Sequence, residues 1–239
     1  MDNLNRFSDY DVFAYIASGL GAIVAWDLVF STHHILGADW TVATGLLTIA
    51  FAYILGQILA SPAAWLIERQ LVHHLLFRPS VILMGGKELG WRNLLKKSLL
   101  QDYYSPLVPE LRRKVRKRAA ADCGTESSGE ILFWCAFPVA KKDANAYARM
   151  ETFLRLYGFC RNMAFVGLSG ACLIVTGAIV EWVHLGWTAE VTKQFQYALF
   201  AMLIGCGMLH RYLKFFRLYG VEVLVAYSES SPSGGQSDQ

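Results

Sequence analysis

Residues 163–185 read MAFVGLSGACLIVTGAIVEWVHL, and Glu181, late in the stretch, is its only acidic or basic residue apart from His184. About 20 predominantly apolar residues are enough for an α-helix to cross the hydrocarbon core of a bilayer, so this stretch predicts a membrane span. Three more stretches share its character. Val12 to Phe30 carries one charge, Asp27, near its far end. Val42 to Ile67 is uncharged, with Gln57 its most polar side chain, and Phe195 to Leu213 stays apolar until His210 and Arg211. A helix apolar on all sides for this length belongs in a membrane or deep in a large core. Four of them in 239 residues predict an all-α integral membrane protein. The expected organisation is two helical hairpins joined by a cytoplasmic loop domain between spans two and three. The N-terminal hairpin takes residues 1–68 and the loop domain 69–160. The second hairpin, with an interfacial helix, takes 161–227, and a disordered tail takes 228–239.

Composition agrees. Apolar residues make up 54% of the chain and charged residues 17%, against about 25% charged in a soluble domain. The charge is also segregated. Residues 7–68 contain no Lys or Arg, and residues 162–210 contain only Lys193. The five cysteines, Cys123, Cys135, Cys160, Cys172 and Cys206, show no CxxC spacing, so neither a zinc ribbon nor a thioredoxin-like site is indicated. Near the start, Asp2, Asp9 and Asp11 outnumber Arg6. That is not the basic leader of a secretory signal, and the first apolar segment is expected to stay in the mature protein.

Orientation follows from the cations, because Lys and Arg resist translocation. Seventeen of the twenty-two lie between Arg69 and Arg161, and Arg211, Lys214 and Arg217 follow span four. The link from Ser31 to Thr41 has none. The central segment and both termini are therefore expected in the cytoplasm, and the protein in the inner (cytoplasmic) membrane. Small residues at i,i+4 spacing mark faces on which membrane helices approach closely. They are Ala17 and Gly21, Gly56 and Ala60, Gly167 and Ala171, and Ala201 and Gly205. These faces are expected to pack within the bundle or to make a homo-oligomer.

The central segment opens with span two continuing past Glu68 towards His73 and His74, and stopping before Pro79, since Pro disfavours a helical residue ahead of it. Lys87 to Leu100 reads as an amphipathic interfacial helix, with Trp91 and leucines set against Lys96 and Lys97. Arg112, Arg113, Lys114, Arg116, Lys117 and Arg118 put six cations in seven positions. Beside a cytoplasmic leaflet, such a cluster attracts anionic lipid. A plain topology signal and an acidic cytoplasmic protein partner are the other candidates. No nucleic-acid-binding motif surrounds the run. Ile131 to Ala140 is apolar and interrupted by Pro138; ten residues do not span, and a strand, a re-entrant piece or a domain core all fit. From Lys141 the pattern turns helical and runs into span three. The hexapeptide FLRLYG at 153–158 returns as FFRLYG at 215–220, consistent with an interfacial belt of Tyr and Arg.

Chemistry is thinly signalled. Gly167-Leu168-Ser169-Gly170 matches the GxSG pattern of intramembrane serine proteases, with His210 on the next span as a partner. The pattern is weak in a Gly-rich apolar helix. Asp27, His33, His34, Asp39, Glu181 and His184 gather at one membrane face, and carboxylate with imidazole suits zinc-like ions, but polar residues are expected there anyway. No Walker A run, HExxH or dinucleotide fingerprint is present, and no cofactor is implied. The expectation is a non-enzymatic multi-pass protein whose cytoplasmic loop docks or senses a partner. Small four-span proteins of bacterial anti-phage systems share this architecture, an analogy of shape that suggests an effector or anchor. A small transporter or channel is the alternative, followed by a Ser169/His210 hydrolase.

Overall fold

The computed structural model describes residues 9–30, 32, 35, 40–85, 96–97, 100–123 and 129–230. Every regular element among them is helical. Four helical runs are long and apolar enough to cross a membrane: Val12–Phe30, Val42–Leu83, Ala144–Leu185 and Ala189–Glu229. The chain divides into two units, Met1–Leu71 with Tyr157–Tyr212, and Val72–Leu156 with Leu213–Gln239. Most of the predicted amphipathic segment from Lys87 to Leu100, including Trp91, lies outside the described residues. So do His33, His34, Asp39 and the tail beyond Ser230.

In the first unit, α1 (Asp9–Phe30) packs on α2 (Val42–Ala63). Thr41 caps α2: its hydroxyl accepts from the Thr44 amide at 3.2 Å, and the Thr44 hydroxyl accepts from the Thr41 amide at 2.9 Å. Pro62 offers no amide hydrogen, and just beyond it the helix widens to π-helical turns over Ala64–Leu76, the adjustment that a missing intrahelical bond invites. The long helix α6 (Ala144–Leu185) ends at Gly186, whose φ of +76° closes it in the left-handed region. The Thr188 hydroxyl then accepts the Val191 amide at 3.2 Å, opening α7 (Ala189–Glu229).

Backbone approach in this unit is set by small residues. A Cβ on Gly19 would overlap the Ala52 carbonyl and come within 2.8 Å of the Ala52 Cα. One at Gly56 would overlap the Tyr15 carbonyl, and one at Gly167 would lie 2.8 Å from the Gly205 Cα. On α6, Ala164, Ala171, Ile174 and Ala178 are buried, whereas Leu46, Leu47, Ile54 and Ile58 of α2 are exposed. Small residues inside and large apolar ones outside suit a lipid surround, in which close packing rather than water exclusion joins helices.

The second unit is built from α3 (Pro79–Leu83), α4 (Pro109–Cys123), α5 (Gly129–Ala140), the start of α6 and the end of α7. Its core includes Leu83, Val115, Leu132, Met150, Leu224 and Tyr227, all essentially inaccessible. Phe77 takes a left-handed φ of +68° ahead of Arg78 and Pro79, a conformation that costs roughly 1–2 kcal/mol for an L-residue. The Tyr103 hydroxyl donates to the Phe77 carbonyl at 2.7 Å and holds that turn.

The segment from Ile131 to Ala140 is helical. Leu132, Ala136 and Ala140, four apart, are buried, and Pro138 falls close enough to the C-terminal end that only one late intrahelical bond is lost. A Cβ at Gly129 would overlap the Ser80 carbonyl oxygen, so the start of α5 lies directly on α3, where Arg78 and Glu130 form an ion pair.

Candidate functional site

The basic run forms the middle of α4. Pro109 and Glu110 suit a helix start, the first by its fixed φ and the second by its charge. Val115 and Ala119, at i,i+4, are fully buried. That pair fixes the rotation of the helix, and with it the fate of each cation.

Arg116 donates through Nη2 to the Met84 carbonyl at 2.8 Å. Arg118 is enclosed, its side chain only 11% exposed. Its Nη1 donates to the carbonyls of Tyr227, at 2.6 Å, and Ser230, and its Nε to Asp122 Oδ2 at 3.2 Å. The guanidinium also stacks 4.6 Å above the Tyr227 ring, whose hydroxyl donates to Asp122 at 2.8 Å. Arg112 lies against Gly85, with Nη1 where a Cβ would stand. Arg113, Lys114 and Lys117 are exposed, and the spacing 113/117 and 114/117 sets them on one helix face. The run thus divides: Arg112 and Arg118 are half-buried, Arg116 is exposed but bonded to the Met84 carbonyl, and Arg113, Lys114 and Lys117 form an exposed stripe.

This division is invisible in the run itself. Val115 hints at it, as the apolar residue within the basic heptad. The partners Met84, Tyr227 and Ser230 carry no sequence signal that links them to it.

The small residues of the first unit are placed as follows. Gly167 and Gly205 face each other, with the Ala201 carbonyl oxygen 3.0 Å from a Cβ on Gly167. Gly56 meets Tyr15 and the buried Ser18. Gly21 lies against Val166, at 3.1 Å for a built Cβ. Ala171 is buried, while Ala17, Ala60 and Ala201 are half-buried. Gly19, which belongs to none of the four pairs, lies directly against the Ala52 carbonyl. Lys96 is half-buried and Lys97 exposed.

The Ser169 hydroxyl donates to the Phe165 carbonyl of its own helix at 2.7 Å, and His210 is exposed on α7. A catalytic serine needs a base in hydrogen-bond reach; the structure directs this one at its own backbone instead. Ser169→Ala is expected to leave insertion and thermal stability within about 0.5 kcal/mol of the parent, checked by detergent unfolding. Labelling of the parent, but not the variant, by a serine-directed phosphonate is the result that would restore the hydrolase.

Asp27 is buried and accepts from the Thr32 hydroxyl and the Ile35 amide, both at 2.5 Å, which spends the carboxylate on the loop after α1. Glu181 accepts from Gln194 Nε2 at 2.8 Å, and His184 is exposed. Among the described residues no group of three or more His, Cys, Asp or Glu is placed to hold a metal. At the end of α4 the Cys123 thiol is pushed up to about 11, first by its hydrogen bond with Cys135 and then by burial. It therefore stays protonated at neutral pH, and only the thiolate is a strong nucleophile. No family model, curated protein or solved structure matches this chain.

Proposed function

We propose that the chain is a non-enzymatic, multi-pass inner-membrane protein whose cytoplasmic unit docks on anionic lipid through the exposed stripe of α4. The four spans form two antiparallel hairpins, a reading supported by the register in which Gly19 meets Ala52 and Gly56 meets Tyr15. The cation asymmetry of the sequence supports cytoplasmic termini and a cytoplasmic second unit. The observation that carries the proposal is the division of the basic run. A run needed only to fix topology has no use for a defined rotation. Here Val115 and Ala119 are buried and Arg116 and Arg118 bonded, so Arg113, Lys114 and Lys117 are held outward together. Membrane anchoring keeps them close to phosphate headgroups, where each cation contributes about 1 kcal/mol. The protein then acts as an anchor, with the docked state as its switchable element.

The test uses the full chain in vesicles with and without anionic lipid, probed by limited proteolysis just after Cys123. The parent should be protected only on anionic lipid. Protection should fade as salt shortens the screening length to about 10 Å at 0.1 M and less above it. The triple variant Arg113→Gln, Lys114→Gln, Lys117→Gln should be cut alike in both vesicle types, a loss of roughly 3 kcal/mol or about a hundredfold in docking. Equal cleavage of the parent in both vesicle types would overturn the proposal.

A further inference from the structure

Within the first unit a groove of about 920 Å3 runs along α6. Phe165, Leu168, Leu173 and Val180 form its α6 wall, with Val29 of α1 and Leu66 of the π-helical stretch opposite. From Phe165 to Glu181 the groove follows α6 for about 24 Å at 1.5 Å per residue. That exceeds the roughly 15 Å of one leaflet, half of a hydrocarbon core of about 30 Å. An alkyl chain of membrane length fits along it.

The polar groups of the lining fall into two kinds. Ser169 and Thr176 donate to carbonyls of their own helix, at 2.7 and 2.8 Å, and ask nothing of a ligand. At one end Glu181 Oε2 accepts from Gln194 Nε2 at 2.8 Å, while Gln194 Oε1 is buried and receives no donor from any described residue. A buried acceptor left without a donor is costly. Among the described residues, no Lys, Arg or His lines the groove. The neighbouring Lys193 is directed to Glu190, at 2.8 Å. A carboxylate and an unserved amide oxygen, side by side at the mouth of an apolar trough, call for a positively charged N–H donor with a hydrocarbon tail.

We propose that this groove binds a single-tailed cationic amphiphile, a long-chain primary amine, with its ammonium on Glu181 and Gln194 Oε1 and its tail along α6. A primary ammonium brings three N–H donors, enough for both acceptors and one water. A quaternary ammonium has none to give Gln194. A phospholipid would set its phosphate beside the Glu181 carboxylate with no cation among the described lining residues to offset it. An intramembrane carboxylate is costly to keep without such a role. The site lies wholly within the first unit and is independent of docking by α4.

The experiment measures retention of radiolabelled hexadecylamine by the full chain in phosphatidylcholine nanodiscs, over that of empty nanodiscs. Binding should saturate, and hexadecanol and hexadecyltrimethylammonium should bind roughly tenfold or more weakly, the loss expected for a missing charge-assisted hydrogen bond. Glu181→Gln should weaken the amine by roughly tenfold or more and leave hexadecanol unchanged. Val180→Trp, at an exposed position on the groove wall, should weaken both by filling the trough. Amine binding that does not saturate, that matches hexadecanol, or that survives Glu181→Gln would overturn the site. Displacement of the amine by a lower concentration of phosphatidylethanolamine would do so too, since the occupant would then be an aminophospholipid.

Discussion

Gly19→Ala should unfold the packing of α1 on α2 at a cost of about 3 kcal/mol or more, the upper range for forcing an atom into a filled space. The new Cβ would overlap the Ala52 carbonyl and lie 2.6 Å from its carbon. These are backbone atoms, so no rotamer change relieves the clash. The helices must separate, and in lipid that removes the contacts that join them. Gly56→Ala meets the Tyr15 carbonyl from the other side of the same crossing and should behave alike. Gly207→Ala is the control: nothing lies within 4 Å of its Cβ, and exchange of Gly for Ala in an open helix position favours the helix by about 1 kcal/mol. Unfolding in mixed micelles, followed by circular dichroism, should show a large loss for Gly19→Ala and none for Gly207→Ala. Equal midpoints for the two would show that the α1–α2 crossing is not a close backbone contact.

Arg118→Gln should destabilise the second unit by about 2–4 kcal/mol, because hydrogen bonds to a charged group contribute about 1.5–3 kcal/mol each and the side chain makes several. The side chain is only 11% exposed, so water does not readily replace it. Tyr227 loses the cation over its ring and one of the two donors to its carbonyl, the Ser230 hydroxyl remaining at 3.1 Å. Lys117→Gln, one residue away on the exposed stripe, should change stability by less than about 0.5 kcal/mol. Proteolytic resistance of the second unit, measured in neutral detergent so that lipid docking plays no part, separates the two. A Lys117→Gln loss as large as that of Arg118→Gln would mean that the basic run acts as one charge cluster without division.

These two variants mark where the sequence is legible. The four apolar runs follow from counting residues against a fixed thickness, a one-dimensional problem, and the structure has four helices of that kind. The hexapeptide echo shows the limit. Gly158 has open space around its Cβ position, whereas Gly220, at the same place in the second copy, lies against Leu83 at 3.2 Å. Near-identical local sequence, FLRLYG against FFRLYG, carries no information about which neighbour arrives. Gly19 and the pair Glu181–Gln194 are cases of the same kind. Gly19 is one glycine among several in an apolar helix, and Gln194 matters only because α7 returns beside α6. The segment 131–140 is ambiguous in sequence because an apolar run of ten with a proline has no period to read; its helix is decided by what Leu132 and Ala136 meet.

The clasp of Arg118 on the far end of α7 also constrains how the molecule is made. Its carbonyl partners lie 109 and 112 residues downstream, so the basic helix leaves the ribosome long before they exist. Contacts of such separation form late, after loop closure has been met. During synthesis at about 5–20 residues per second, the segment through Cys123 waits several seconds with Arg118 unserved and Val115 and Ala119 uncovered. The nascent chain must pass through a stage in which its first two spans are inserted and its cationic helix is unclasped. In that interval Arg118 is left facing the nascent chain's surroundings together with the exposed stripe, and chaperones or the membrane surface itself meet a more basic surface than that of the finished protein.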